Sequence, residues 1–122
     1  MMKYIYVFIG ITLLYTSCSH NENNVEEKYC GVTNPIEDLA WLRELKLNLE
    51  KTMSPNKQEI IQYTYHKQTV FLVNSCKDCA DNLVVIYNCS GEKICEFGGI
   101  DGRDTCSDFN TTKTNKILLW EN

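Results

Sequence analysis

LVVIYNCSGEKICEFG, residues 83–98, is the segment that commits this chain to an antiparallel sheet. Leu83–Asn88 and Ile94–Phe97 are runs of aliphatic, β-branched and aromatic residues, the types that fit a pleated, half-buried surface. Between them, Asn88-Cys89-Ser90-Gly91-Glu92 fits a type I turn with Gly91 in the left-handed position and a G1 bulge. The two runs therefore form a hairpin. The expected register puts Leu83, Val85, Tyr87, Cys95 and Phe97 on one face, the surface a helix would cover.

Upstream, Ile61, Tyr63 and Tyr65 alternate with Gln62, Thr64 and His66, a period of two that marks another strand. Val70–Val73 follows a short polar turn at Lys67-Gln68 and completes a second hairpin. Tyr63, Tyr65 and Phe71 either present an aromatic face to a partner or cover core; core is preferred, because aromatics dominate strand packing. Before Ile61 the period becomes helical. In Asn34-Pro35-Ile36-Glu37, Asn34 can cap exposed amides, Pro35 suits the first helical position, and Glu37 can complete a capping box. Leu39, Leu42, Leu45 and Leu49 then recur at three- and four-residue steps, predicting one amphipathic helix to about Lys51, ended by Met53-Ser54-Pro55-Asn56. Downstream, residues 98–108 (GGIDGRDTCSD) read as a loop held by Cys106, and Ile117–Trp120 as a last short strand. The expected fold is α+β: one N-terminal amphipathic helix packed on a four- to five-stranded antiparallel meander, braced by disulfides.

The N-terminal residues concern location. Lys3 is followed by the apolar run Ile5–Leu14, which fits a secretory signal and falls well short of the roughly 20 residues that cross a bilayer. Thr16 and Ser17 then precede Cys18, as in a lipobox, with Tyr15 departing from the usual aliphatic first position. The expected organisation is a signal peptide over 1–17, a lipidated Cys18 opening a polar tether over 18–29, and a single domain over 30–122. The chain carries a formal net charge of −4, and loss of Lys3 makes it one unit more acidic. Such a surface offers no electrostatic reason to bind nucleic acid.

Seven cysteines are an awkward number for an exported chain. If Cys18 carries lipid, the remaining Cys30, Cys76, Cys79, Cys89, Cys95 and Cys106 can pair as three disulfides, in a connectivity the sequence leaves open. If all pair, Cys30 must close the longest loop, which contributes roughly 4 kcal/mol in the chain-entropy model. Two rival uses are weaker. Cys76-Lys-Asp-Cys79 has the CxxC spacing of a redox pair, but a strand-like run follows where a thiol-activating helix N-terminus would be needed. Zinc needs four ligands, usually as two close pairs, and only one close pair exists.

Asp101, Asp104 and Asp108 crowd one glycine-containing loop, a weak Ca²⁺ candidate without EF-hand spacing; solvated turn residues are the preferred reading. His20 and His66 have no nucleophile nearby in sequence, and no phosphate-binding glycine loop or HExxH is present. No catalytic residue, cofactor or metal is therefore assigned.

Taken with NPIEDLAWL (34–42), YNCSGEKICEFGGI (87–100) and CSDF (106–109), the chain resembles small cysteine-containing lipoproteins of Bacteroidota from Cys30 to Trp120. That resemblance implies an envelope location and the fold, and no activity. The expectation is a non-enzymatic binding module of the cell envelope. It would be lipid-anchored at Cys18, outer membrane preferred, with a protein partner, and could serve as an inhibitor or immunity-type protein. The alternative is an envelope enzyme or thiol–disulfide redox factor using Cys76 and Cys79.

Overall fold

Helix formation begins where the sequence favours it, at Pro35, and stops after a single turn. The computed structural model describes residues 29–52 and 54–122; the expected signal segment, Cys18, His20 and the tether through residue 28 lie outside them. α1 spans Pro35–Asp38 and α2 spans Ala40–Lys51, with Leu39 extended between them (φ −85°, ψ 109°). The expected single helix is thus two. The Asn34 side chain makes no capping bond; instead the Asn34 N–H donates to Asp38 Oδ2 at 3.0 Å, so Asp38 takes the place expected of Glu37. The break leaves the Glu37 carbonyl without a helical partner, and Arg43 Nη1 donates to it at 2.9 Å. Changing direction at Leu39 lets Ile36, Leu39 and Leu42 all reach one core, with Leu42 fully buried.

Six antiparallel strands follow: β1 (Glu59–Tyr65), β2 (Gln68–Asn74), β3 (Leu83–Tyr87), β4 (Lys93–Gly98), β5 (Arg103–Asp104) and β6 (Thr114–Glu121). That is one more than the upper expectation. β1 and β2 are joined through a two-residue turn at His66-Lys67, both in the left-handed region (φ 47° and 62°), with Tyr65 opposite Gln68. Tight two-residue hairpins demand this backbone and usually recruit Asn or Gly for it. In the β3–β4 hairpin, Gly91 is left-handed as expected (φ +80°), and Gly91 N–H donates to the Asn88 carbonyl at 3.1 Å.

The register beyond that turn differs from expectation. Ile86 lies opposite Cys95, but Tyr87 lies opposite Lys93, so Ile94 is an extra residue in β4. This second bulge reverses every later β4 side chain relative to β3. Leu83, Val85 and Tyr87 lie on the helix side, whereas Cys95 and Phe97 belong to the core on the opposite side.

The strands run in the order β5-β4-β3-β2-β1-β6. β1 to β5 are a meander; β6 is not its next member. The chain leaves β5 at one edge, passes through α3 (Phe109–Thr112), and lays β6 antiparallel to β1 at the other edge. Each face of the sheet therefore has a cover. On one, Ile61, Tyr63, Tyr65, Val70, Leu72 and Ile86 pack under Cys106 and Phe109 of the crossover. On the other, Ile60, Phe71 and Val73 pack under Ile36 and Leu42, flanked by Leu119 and Trp120. Tyr63, Tyr65 and Phe71 are all core, but Phe71 serves the opposite face from the two tyrosines. Among the described residues, no helix is long and apolar enough to cross a membrane.

Candidate functional site

α2 covers only part of the sheet face it packs on. Leu42 is its buried centre line, while Trp41, Leu45 and Leu49 form its flank toward β3. Beside that flank, Leu83, Val85 and Tyr87 stay partly exposed, and the two rows enclose a groove of about 460 Å³. Glu44, Asn48, Thr52 and Ser75 supply polar atoms at its border. An apolar floor with a few polar edges is the composition of a recognition groove.

Trp41 fixes one end of this groove. Its Nε1–H donates to the Cys89 carbonyl at 2.9 Å, and its ring packs against Phe71 and Tyr87 with centroids 5.6 and 5.7 Å apart. Gly91 lies against the indole so closely that a Cβ there would stand 2.7 Å from Trp41 Cδ2. Cys30 is bonded to Cys89, so the segment before α1, the Trp41 ring and the β3–β4 turn are tied at one point. The link from Trp41 to Gly91 was not visible in sequence.

All six cysteines of the domain are paired: Cys30–Cys89, Cys76–Cys79 and Cys95–Cys106. Cys95–Cys106 is buried and fastens the crossover to β4. Cys76–Cys79 closes a turn in the β2–β3 connection, where Cys76 is half-exposed and Cys79 exposed. Beneath it runs a polar chain. The Cys76 N–H donates to Asn74 Oδ1 (3.1 Å), Asn82 Nδ2 donates to the same oxygen (2.7 Å), Asn74 Nδ2 reaches Glu59 (3.4 Å), and Glu59 pairs with Lys77 (3.2 Å). The Glu59 carboxylate raises the pKa of the Lys77 ammonium. β3 rather than a helix follows this turn.

The three loop aspartates have separate partners. Asp101 pairs with Arg103 (2.7 Å), which holds its carboxyl below the usual range. Asp104 Oδ1 accepts the Cys106 N–H at 3.0 Å. Asp108 accepts the Tyr65 hydroxyl at 2.6 Å and lies 2.7 Å from His66 Nε2. Among the described residues, no group of three His, Cys, Asp or Glu side chains is placed to hold a metal ion. The Tyr65–Asp108–His66 cluster joins residues more than forty positions apart and was not foreseen. His66 also stacks on Tyr65, with centroids 3.9 Å apart. The cluster pushes the Tyr65 hydroxyl up to about 12 and the Asp108 carboxyl below its ordinary value. Its effect is to clamp the crossover onto the β1–β2 turn.

Comparison with curated proteins and with solved structures returns no match for this chain. A family model matches residues 46–122, from the middle of α2 through all six strands to the last residue. The chain therefore belongs to the family described as domain of unknown function DUF6970.

Proposed function

We propose that this chain is a lipid-anchored, non-enzymatic binding module of the bacterial cell envelope. The groove beside α2 carries the reading: an apolar trough between Trp41, Leu45 and Leu49 and the β3 side chains, open to a partner. Three supports surround it. The apolar run, the small residues and Cys18 give the N-terminus the form of a lipoprotein signal. Six paired cysteines suit an oxidising compartment. The Asp108–His66 pair is engaged in clamping the crossover: Asp108 accepts the Tyr65 hydroxyl through its carboxylate and the Thr111 and Thr112 hydroxyls through its backbone carbonyl. The partner favoured is a protein that inserts one or two apolar side chains into the trough, as an inhibitor or immunity-type protein would receive its target.

Two measurements test this. Labelled palmitate should enter the parent chain and be lost in Cys18→Ser; undiminished labelling refutes the anchor. A photo-crosslinking residue at Asn48 should give a discrete adduct in native membranes. Val85→Glu should abolish that adduct, and the same crosslinker at Lys116 should give none. Adducts of equal yield from both positions would end the groove reading.

A further inference from the structure

The three disulfides do not do the same work. Cys95 and Cys106 lie in the core under the crossover, and Cys30–Cys89 closes a separation of 59 residues against Trp41. Cys76–Cys79 closes a separation of 3, belongs to neither core, and places Cys79 in solvent. A bridge over so short a span constrains the unfolded chain least. Its turn is also held by other bonds. Cys76 N–H donates to Asn74, and Lys77 N–H donates to the Lys57 carbonyl at 2.7 Å. Lys77 Nζ pairs with Glu59, whose side chain is almost wholly buried. These bonds hold the backbone on both sides of Cys76 without involving either sulfur. Structural need therefore explains two of the bridges well and the third poorly.

We infer that Cys76–Cys79 is a thiol–disulfide exchange site, and that its substrate is an exposed protein thiol, ideally one of a dithiol pair. The thiolate attacks Cys79 Sγ, on the more exposed of the two cysteines; the Cys76–Cys79 bond breaks, a mixed disulfide forms at Cys79, and Cys76 leaves as a thiolate. The second thiolate of the substrate then attacks its own sulfur in the mixed disulfide and releases Cys79. Two electrons pass from the substrate dithiol to the pair, the substrate leaves as a disulfide, and both released cysteines take up protons. No helix dipole activates the pair, so access and a preformed turn, rather than a lowered thiol pKa, make it exchangeable. The exchange is one stoichiometric event per chain, with no reoxidant and no turnover, so it adds to the binding module without making it an enzyme. It needs neither the lipid anchor nor an occupied groove, and stands or falls separately from them.

The oxidised full chain should be exposed to dithiothreitol, quenched by alkylation at intervals, and mapped by mass spectrometry. Cys76–Cys79 is expected to open at least about tenfold faster than Cys95–Cys106, with the near-ultraviolet dichroism of the fold retained. Cys76→Ser, treated with oxidised glutathione, should carry one glutathione on Cys79; Cys79→Ser should react at Cys76 at least about tenfold more slowly. Opening at the rate of the buried bridge overturns the proposal, and so does equal reactivity of the two single variants. Loss of the fold in Cys76→Ser overturns it as well, because the turn must hold without the bond.

Discussion

Gly91 meets two demands that arise from different parts of the chain. The turn needs a left-handed residue, and the indole of Trp41 needs the space a side chain would fill. Gly91→Ala should therefore cost more than the roughly 1–2 kcal/mol of placing an L-residue in the left-handed region, with about 2–3 kcal/mol expected from urea unfolding. A loss under about 1 kcal/mol would mean the indole moves aside freely. The first demand was legible in the sequence, since NCSGE is a turn motif; the second was not, because nothing local ties a helix tryptophan to a distant turn. Asp108 supports a pH prediction. Its carboxyl is depressed by the Tyr65 hydroxyl and then by His66, so its contribution is present above the unfolded value near 4 and is lost as pH falls through its lower folded value. Glu96, depressed by Arg103 and Lys93, acts in the same direction. Tyr65 has the opposite sign: raised to about 12, it stabilises below its unfolded value near 10 and loses that contribution between the two. Asp108→Asn should flatten the fall in Tm between about pH 5 and pH 2, and Tyr65→Phe the fall above about pH 10. Unchanged profiles would show that the cluster is not closed in solution.

Among the elements, the crossover was the hardest to read. Its residues, from Thr105 to Lys113, look like polar loop with one aromatic, yet Phe109 is fully buried and packs edge-on to Tyr63 and Tyr65 at 5.6 and 5.1 Å. Phe109→Ala should destabilise by about 3–5 kcal/mol, since the ring fills the face that α1 and α2 leave uncovered. A cost under about 1 kcal/mol would show the crossover to be lightly held. The strands themselves were legible, because period-two alternation and turn residues are local signals. Two features were not. The bulge at Ile94 turns on one residue, and one residue decides which side of a sheet Cys95 and Phe97 face. The interruption at Leu39 falls inside a leucine stripe whose spacing is sound helix, and only the core it dips into explains it. Strand β6 was foreseen at Ile117–Trp120, but its place beside β1 depends on a contact across the whole chain.

Over the whole molecule, an even set of six cysteines was readable from composition, whereas their pairing depended on the bulge and the crossover. The bridge expected to matter most for folding is Cys30–Cys89. Replacing both cysteines by alanine should lower stability by up to about 4 kcal/mol, against about 2 kcal/mol for the short Cys76–Cys79 span. Equal costs would mean that chain entropy does not set their ranking. The groove was only half legible: Leu45, Leu49, Leu83, Val85 and Tyr87 were identified, but as a covered surface, not one left partly open, and Trp41 was not singled out. The Cys30–Cys89 bond also has a mechanical consequence. A pull applied upstream of Cys30 and resisted at the C-terminus passes directly through the bond into the β3–β4 turn. The segment enclosed between the two cysteines, which contains α1, α2, β1, β2 and β3, then cannot be drawn out even after β6 has been pulled off β1. Stretched in a single-molecule experiment, the oxidised chain should extend about 200 Å less than the same chain lacking that bond, the contour of the 59-residue span it closes.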